Sequence, residues 1–292
     1  MFDQLQFGRI DREHFVVNGV LTNANILPHN VRNRAFNYAD GFFESIRVAH
    51  GRLQHLELHF SRISDSLEGH KMNVPSNFNA VTFEDSLTAL IEKKGIAAGG
   101  RIRVTFFRDG GGRYTPTSHE VWWVAEAQSL DQNEFVLNEE GLNVDIYPEM
   151  RKTRNLLSNF KNLAAQIYVH SGIWAQQQGL SEALISNERN HIIESTRSNL
   201  FLVSNRVLYT PGLDGGPVGG IMRAAVIQAA LRHGYKVYEC DLTPQELLRA
   251  DEMFLTNAIR GIQWVTGYRT KRYFSNTAKE LVAIVNDTLV RG

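Results

Sequence analysis

The stretch from residue 191 to residue 233 constrains the fold more than any other part of the chain. Short apolar runs separated by polar turns predict three consecutive strands there, at 191–194, 199–203 and 207–209. A helix is predicted next, from Gly220 to His233, directly after a glycine pair. The chain must therefore form a sheet that leads into a helix through Gly219-Gly220.

The start of that helix, residues 219–222, is suited to binding a phosphate, and we call it the phosphate cradle. The first N–H groups of a helix lack partners within the helix, and the helix dipole attracts an anion to this end. Gly219 and Gly220 add no side-chain bulk, so an anion can approach the backbone closely. An ordinary glycine-rich connection has the same composition, and that interpretation stays open at this point.

Three charged side chains each allow a structural and a chemical interpretation. Glu194 ends a predicted strand, and it either caps the next turn or pairs with a protonated ring nitrogen. Lys161 opens a predicted apolar helix at 160–178, either as a solvated residue or as a partly buried nucleophile or base. Arg62 lies in a predicted amphipathic helix at 55–71, where it is solvated or clamps a phosphate.

A carboxylate, a phosphate cradle and an amine together suit a small phosphorylated ring that contains nitrogen. Each signal is weak alone, and the combination of Glu194, the cradle and Lys161 carries the interpretation. We therefore predict pyridoxal phosphate (PLP) as the cofactor.

The first half of the chain predicts a small α+β domain. Asn18-Gly19 between two apolar runs predicts a hairpin at 15–22, because both residues tolerate positive φ. Further strands are predicted at 42–48, 101–107 and 120–127, and helices at 55–71 and 83–94. A polar stretch at 128–132 suggests a linker, so we predict a small domain at 1–127, a linker at 128–138 and a larger domain at 139–292.

The larger domain alternates strands and helices, so the predicted fold class is mixed α+β and α/β. Besides the elements above, strands are predicted at 182–186 and 253–256, and a closing helix at 278–290. Thr243-Pro244-Gln245-Glu246 forms a capping box with proline at the first helical position, which predicts a helix start.

Composition excludes several classes of function. The chain has 292 residues with 31 Lys and Arg against 31 Asp and Glu, a balance that argues against nucleic-acid binding and a polybasic membrane anchor. No apolar run reaches about 18 residues, so no membrane span is predicted. Met1-Phe2-Asp3-Gln4 lacks signal-peptide features and Cys240 is the only cysteine, which favours the cytoplasm. No metal site is predicted.

Taken in order, these segments resemble the class IV (fold type IV) PLP enzymes, which include branched-chain aminotransferase, D-amino acid aminotransferase and 4-amino-4-deoxychorismate lyase. The family pattern is matched by Glu194, Asn199-Leu200-Phe201, Thr210 and Val218-x-Gly220-Ile221-x-Arg223. The segment 38–44 resembles the family's Asp-Gly-x-Phe-Glu motif, and His59-x-x-Arg62 resembles its phosphate-binding motif. Lys161 falls at the family's Schiff-base lysine, so the resemblance covers residues 15–270.

The resemblance implies a D-amino acid aminotransferase-like fold of two domains, a homodimer with sites at the interface, and a small amino substrate. It implies that Lys161 is catalytic. The implied cofactor-binding residues are Arg62, Lys161, Glu194, Ser198, Asn199, Gly220, Ile221, Met222, Thr256 and Asn257. The implied substrate-binding residues are Tyr38, Phe43, Arg47, Arg103, Arg108 and Arg113.

Within the family, the features are most similar to aminodeoxychorismate lyase, which forms 4-aminobenzoate and pyruvate for folate synthesis. Met222, Asn257-Ala258 and the glycine-rich loop at 108–113 resemble the lyase, and Gln166 stands where branched-chain aminotransferases have tyrosine. Glu44-Ser45 is equally at home in aminotransferases, so an aminotransferase of branched-chain or other amino acids with 2-oxoglutarate is the alternative. A PLP-binding homologue without turnover is the third interpretation.

Overall fold

The computed structural model describes residues 14–23 and 33–289, and the chain divides into two compact units. Unit 1 comprises Met1–Glu134, Phe160–Ala164 and Leu289–Gly292, and unit 2 comprises Phe135–Asn159 and Ala165–Thr288. Met1–Gln4 and Val290, the predicted end of the last helix, lie outside the described residues. The segment that carries Lys161 thus belongs to unit 1, although the residues on both sides of it belong to unit 2.

Unit 1 is built on a six-stranded antiparallel sheet with strand order β2-β1-β6-β5-β3-β4. Its strands are β1 (His14–Val17), β2 (Val20–Asn23), β3 (Gly41–Ala49), β4 (Arg52–Leu53), β5 (Gly99–Arg108) and β6 (Val121–Leu130). Its helices are α1 (Arg34–Tyr38), α2 (Leu56–Gly69) and α3 (Ala80–Lys93). The predicted hairpin, strands and two longer helices of this half are confirmed.

The two faces of this sheet differ in character. Along β5, Ile102, Val104 and Phe106 are fully buried and join one core with residues of α2 and α3. Each fully buried apolar side chain of this size contributes about 1.5–3 kcal/mol, so this face supplies most of the unit's stability. The alternate residues Arg101 and Arg103 are only half-buried and lie on the opposite face.

The predicted linker begins too early, because 128–130 form the end of β6. Gln128 and Ser129 pair with Arg101 and Gly100 of β5. Gln128 is half-buried and Ser129 is exposed, so their polarity reflects the end of a strand rather than a loop, and Leu130 is buried at 4% exposure.

Unit 2 contains a nine-stranded mixed sheet with strand order β12-β11-β10-β13-β14-β7-β8-β9, and β15 pairs with β14. The strands are β7 (Leu142–Ile146), β8 (Glu182–Ser186), β9 (Ile192–Ser195), β10 (Asn199–Ser204), β11 (Val207–Pro211), β12 (Lys236–Cys240), β13 (Glu252–Asn257), β14 (Gly261–Tyr268) and β15 (Lys271–Arg272). Its helices are α4 (Gln166–Gln177), α5 (Ile221–Arg232), α6 (Pro244–Arg249) and α7 (Asn276–Asp287). Because β9 also pairs with β10, the six strands from β10 around to β9 close on themselves.

The helix predicted at 160–178 begins only at Gln166. Residues 160–164 instead run antiparallel to the start of β3, where the Phe43 N–H donates to the Lys161 carbonyl over 2.9 Å. The Leu163 N–H donates to the Gly41 carbonyl over 3.0 Å. Phe160 and Leu163 have helical spacing, but the open edge of β3 offers hydrogen bonds that an extended segment satisfies better.

Gly41 is required at this edge because a side chain has no room there. A Cβ atom on Gly41 would overlap the Phe106 carbonyl oxygen and lie 3.0 Å from the Leu163 side chain. The position therefore sets how closely β5 and the Lys161 segment approach β3.

We expect Gly41→Ala to lower the free energy of unfolding in urea by about 1–3 kcal/mol, since overpacking forces the backbone to move. It should also weaken PLP retention, measured by absorbance after dialysis. Gly111→Ala is the matched control, because its Cβ would lie 3.7 Å from Thr117 in ordinary contact. A Gly41→Ala protein with wild-type stability and wild-type PLP retention would contradict this account of β3.

Candidate active site

Lys161 lies beside the Phe43 ring in unit 1. Its Nζ is 4.8 Å from the ring centroid, and the guanidinium of Arg103 is 3.8 Å from the same centroid. Phe43 thus contacts two cations, one on the Lys161 segment and one on β5. This places a predicted catalytic amine and a predicted substrate-binding arginine around a single aromatic side chain.

Glu44, the residue after Phe43, organises a buried ionic group. The Nε of Arg62 donates to Oε1 over 2.8 Å, and the Nη2 of Arg62 donates to Oε2 over 2.6 Å. His59 Nδ1 lies 2.7 Å from Oε2. Glu44 and His59 are 1% exposed and Arg62 is 9% exposed. The predicted phosphate-binding Arg62 is therefore held by a bidentate carboxylate, which fixes its plane and direction.

Burial and pairing compete at Glu44. Burial alone would raise the pKa of its carboxyl, but the Arg62 charge and the His59 hydrogen bond lower it to about 2. Burial also lowers the pKa of His59, and Glu44 opposes that shift. The positive charges of Arg62 and Lys161 lower the pKa of His59 further.

Glu194 is a buried carboxylate of unit 2, at 2% exposure. Its Oε1 accepts hydrogen bonds from Lys152 Nζ over 2.7 Å and from the Tyr168 hydroxyl over 2.8 Å. Its Oε2 accepts one from the Val218 N–H over 2.8 Å. Burial and the Glu194 charge raise the pKa of Tyr168, so this hydroxyl stays a donor. Three donors from separate segments fix the carboxylate in place.

The helix start predicted at the phosphate cradle is confirmed, with Gly220 as the N-cap of α5 and no side chain capping the helix. The N–H groups of Ile221 and Met222 belong to the first turn. The Asn199 side chain donates to the Val218 carbonyl over 2.7 Å, and its oxygen occupies the space of a Gly220 Cβ. Any larger residue at 220 would therefore displace Asn199.

Thr256 lies directly across the strand pair from Asn199. Its Oγ1 is buried and has no hydrogen-bond partner among the described residues. Buried hydroxyls are normally satisfied, and an orphaned one beside a helix N-terminus fits a phosphate oxygen. The residues at this end of unit 2 thus fit the phosphate of PLP.

Ser198 and Asn257, which are predicted to bind the cofactor, lie together and form a hydrogen bond with each other. The Asn257 side chain donates to Ser198 Oγ over 3.0 Å, and its oxygen accepts from the backbone of Ile259 and Arg260. They shape the turn that follows Thr256.

Two residues of the family pattern, Thr210 and Arg223, have structural roles in unit 2. The Thr210 hydroxyl donates to the Leu200 carbonyl over 2.8 Å, which ties β11 to β10. Arg223 donates to the Pro211 carbonyl over 2.8 Å and to Glu239 over 2.6 Å. These contacts hold the strands and α5 in the positions that form the cradle.

Two of the predicted substrate arginines have structural partners. Arg47 Nη2 donates to the carbonyls of residues 132–134, the shortest bond being 2.6 Å to Gln132. Arg108 binds Asp40 over 3.0 Å and the carbonyls of residues 70 and 71. Backbone carbonyls that take no part in strand pairing still need hydrogen-bond donors, and a buried guanidinium can supply several. These bonds explain why Arg47 and Arg108 are buried without invoking a substrate. Tyr38 and Arg113 are exposed.

Sequence reasoning missed Lys152, Tyr168 and Arg34. A buried carboxylate needs hydrogen-bond donors or a counter-ion. A buried Glu194 therefore implies such partners, but it does not identify them as Lys152 and Tyr168. Arg34 donates to Asp40 over 2.7 Å and to the carbonyl of Arg113 over 2.8 Å, which holds the glycine-rich loop. No local pattern in the sequence distinguishes these residues from solvated ones.

Across residues 14–23 and 33–289, the structure has no group of three or more His, Cys, Asp or Glu side chains arranged to hold a metal ion. In the same residues, every helix is too short or too polar to cross a bilayer.

We expect Glu44→Gln to destabilise unit 1 by about 3–5 kcal/mol at pH 7, because it leaves the buried Arg62 charge uncompensated. The pKa of Glu44 lies below its ordinary value of 4.5, so the stabilisation is fully present above pH 4.5 and is lost as the pH falls toward 2. Urea unfolding at a series of pH values measures this difference.

Glu84→Gln on the exposed face of α3 is the control, with an expected change within about 0.5 kcal/mol. If the free energies of unfolding of Glu44→Gln and wild type differed by the same amount at pH 7 and at pH 3, the assigned ion pair would be disproved.

The chain is similar to several known proteins along most of its length. An aminodeoxychorismate lyase from Vibrio harveyi is 29% identical over 239 residues, covering 80% of this chain and 85% of the lyase. The crystal structure of 4-amino-4-deoxychorismate lyase from Pseudomonas aeruginosa has a TM-score of 0.79 and 24% identity, covering 94% of this chain and 98% of that one. Branched-chain amino acid aminotransferase from Thermobaculum terrenum in its PLP form has a TM-score of 0.84 and 19% identity, covering 94% and 93%.

The solved structures confirm the predicted fold type IV, which lyases and aminotransferases share. The model of the amino-transferase class IV family matches residues 41–268, from β3 to the end of β14. This range contains Lys161, the Glu44 group, Glu194 and the phosphate cradle. The chain therefore belongs to the class IV aminotransferase family and is a PLP-dependent enzyme.

Proposed function

We propose that the chain is an aminodeoxychorismate lyase, which converts 4-amino-4-deoxychorismate into 4-aminobenzoate and pyruvate. The observation that carries this proposal is the Arg103 guanidinium, 3.8 Å from the ring of Phe43, which also contacts Lys161. The substrate is anionic, whereas a branched aliphatic side chain requires an apolar surface at the same place. The similarity to the Vibrio harveyi lyase supports the same choice.

Lys161 is the residue that we propose to hold PLP covalently. Glu194 pairs with the ring nitrogen, and Lys152 and Tyr168 keep its carboxylate in place through Oε1. Bound PLP withdraws electrons from the carbon that carries the substrate amine and makes its proton removable.

The groups of unit 2 that we assign to the phosphate are Thr256 and the N–H groups of Ile221 and Met222, and the family resemblance adds Arg62. The orphaned Thr256 hydroxyl and the uncapped α5 N-terminus support this assignment. Ser198, Asn199, Gly220 and Asn257 shape the backbone around the phosphate.

Lys161 also serves as the general base in this proposal. Once its amine is released by the substrate, Nζ removes the proton from the amine-bearing carbon. The electron pair of that C–H bond then forms a new ring double bond and expels enolpyruvate from the neighbouring carbon. The ring is left aromatic, and the departing enolate takes up a proton to become pyruvate. Phe43 limits where Nζ can move, since the Lys161 backbone is bonded to the Phe43 N–H.

We further propose that the enzyme acts in folate synthesis as a cytoplasmic homodimer. The single cysteine supports the location. The assembly is the one that the family resemblance implies, with sites at the subunit interface.

We expect the PLP-loaded enzyme to form 4-aminobenzoate and pyruvate in equal amounts from aminodeoxychorismate. Lys161→Ala should lower the rate by about 10²–10⁴-fold or more, because it removes the base and the covalent attachment. Chromatography of 4-aminobenzoate and a coupled pyruvate assay measure the products, and circular dichroism checks folding. Lys279→Ala, at an exposed position of α7, is the matched control and should retain the wild-type rate.

Keto acids formed from L- or D-amino acids with 2-oxoglutarate, without 4-aminobenzoate, would identify an aminotransferase instead. The Lys161 amine that removes the proton could also return it to the cofactor, so aminotransferase activity is the second candidate function. Bound PLP without turnover in either assay would identify a binding homologue.

A further inference from the structure

The face of the unit 1 sheet opposite the core carries an unusual concentration of guanidinium groups. Ser45 and Arg47 of β3 pair with Arg103 and Arg101 of β5, respectively. Arg47 and Arg101 therefore lie directly across from each other, an arrangement of like charges that destabilises a sheet. Arg47 satisfies backbone carbonyls, which accounts for its position but leaves Arg101 unexplained.

Arg101 has a polar atom without a partner. Its Nε is buried and has no hydrogen bond among the described residues. Arg103, two positions further along the same face, rests on the Phe43 ring at 3.8 Å. A buried guanidinium N–H without an acceptor is costly, and a ligand carboxylate is the acceptor that suits it.

The charge around these two residues is not balanced. Burial lowers the pKa of Arg101 and of Arg103, and the charge of Arg101 lowers that of Arg103 further. Glu126, opposite Arg103 on β6, is the one acidic side chain in the described part of the chain that opposes these shifts. One carboxylate thus faces two half-buried guanidiniums, which favours the binding of an additional anion.

We infer that Arg101 and Arg103, which we call the arginine face, bind the two carboxylates of a dicarboxylate substrate. Arg103 takes the carboxylate nearer Lys161, and Arg101 takes the more distant one. Residues two apart on one strand face are separated by about 6.6–6.8 Å, a spacing that a ring carboxylate and the carboxylate of a neighbouring enolpyruvyl ether can match. This inference rests on the proposed function and adds the residues that select a diacid over a monoacid.

The test compares isophthalate, a ring dicarboxylate, with benzoate on the PLP-loaded protein by isothermal titration calorimetry. Wild type should bind isophthalate at least 10-fold more tightly than benzoate. Arg101→Gln should weaken isophthalate binding by roughly 10-fold or more while changing benzoate binding less than about 2-fold, because a charged hydrogen bond is lost for one ligand only. Arg101→Lys should restore part of the affinity.

Arg52→Gln removes the same charge from an exposed site on β4 and should leave both affinities unchanged. With aminodeoxychorismate, Arg101→Gln should raise KM by roughly 10-fold while kcat stays within about threefold. Thermal unfolding and PLP absorbance verify that each variant is folded and loaded.

Wild-type affinity of Arg101→Gln for isophthalate, or equal affinity of wild type for the two probes, would overturn the inference. The calorimetric result does not depend on turnover. An enzyme that binds isophthalate through Arg101 but makes no 4-aminobenzoate would refute the proposed function and keep the arginine face. An active lyase whose KM and isophthalate affinity do not change in Arg101→Gln would support the proposed function and refute the arginine face.

Discussion

Two backbone hydrogen bonds at the open edge of β3 determine where the chemistry of unit 1 is placed. They join the Phe43 N–H to the Lys161 carbonyl and the Leu163 N–H to the Gly41 carbonyl. The same strand then continues into Glu44, whose carboxylate holds Arg62. One register of β3 therefore positions the lysine, the aromatic ring beside it and the guanidinium, and a shift by one residue would move every side chain to the opposite face.

In each unit a buried carboxylate organises the side chains around it. Glu44 in unit 1 accepts from Arg62 and His59, and Glu194 in unit 2 accepts from Lys152, Tyr168 and a backbone N–H. A buried charge of this kind contributes little net stability because its desolvation is costly. Its value lies in direction, since a carboxylate with donors on both oxygens holds its partners in one geometry.

The sequence predicted the elements whose signals are local, and it failed where the deciding contact is distant. The glycine pair and the strand before it predicted the start of α5 correctly. The helix start at 160 was wrong because Phe160 and Leu163 have helical spacing while the edge of β3, more than 100 residues earlier, captures their backbone. Lys152 was missed for the same reason, since its partner Glu194 lies on another strand. Arginines that serve carbonyls, such as Arg47, look identical in sequence to arginines that face a ligand.

Lys161 is the residue that we propose carries the cofactor, although Lys152 is a second half-buried amine on the same stretch of chain. Borohydride reduction of the PLP-loaded protein, followed by proteolysis and mass spectrometry of the peptides, distinguishes the two directly. We expect one phosphopyridoxyl group per chain, on Lys161, with Lys152 unmodified because its amine is bonded to Glu194. A label on Lys152, or no covalent label at all, would contradict this assignment.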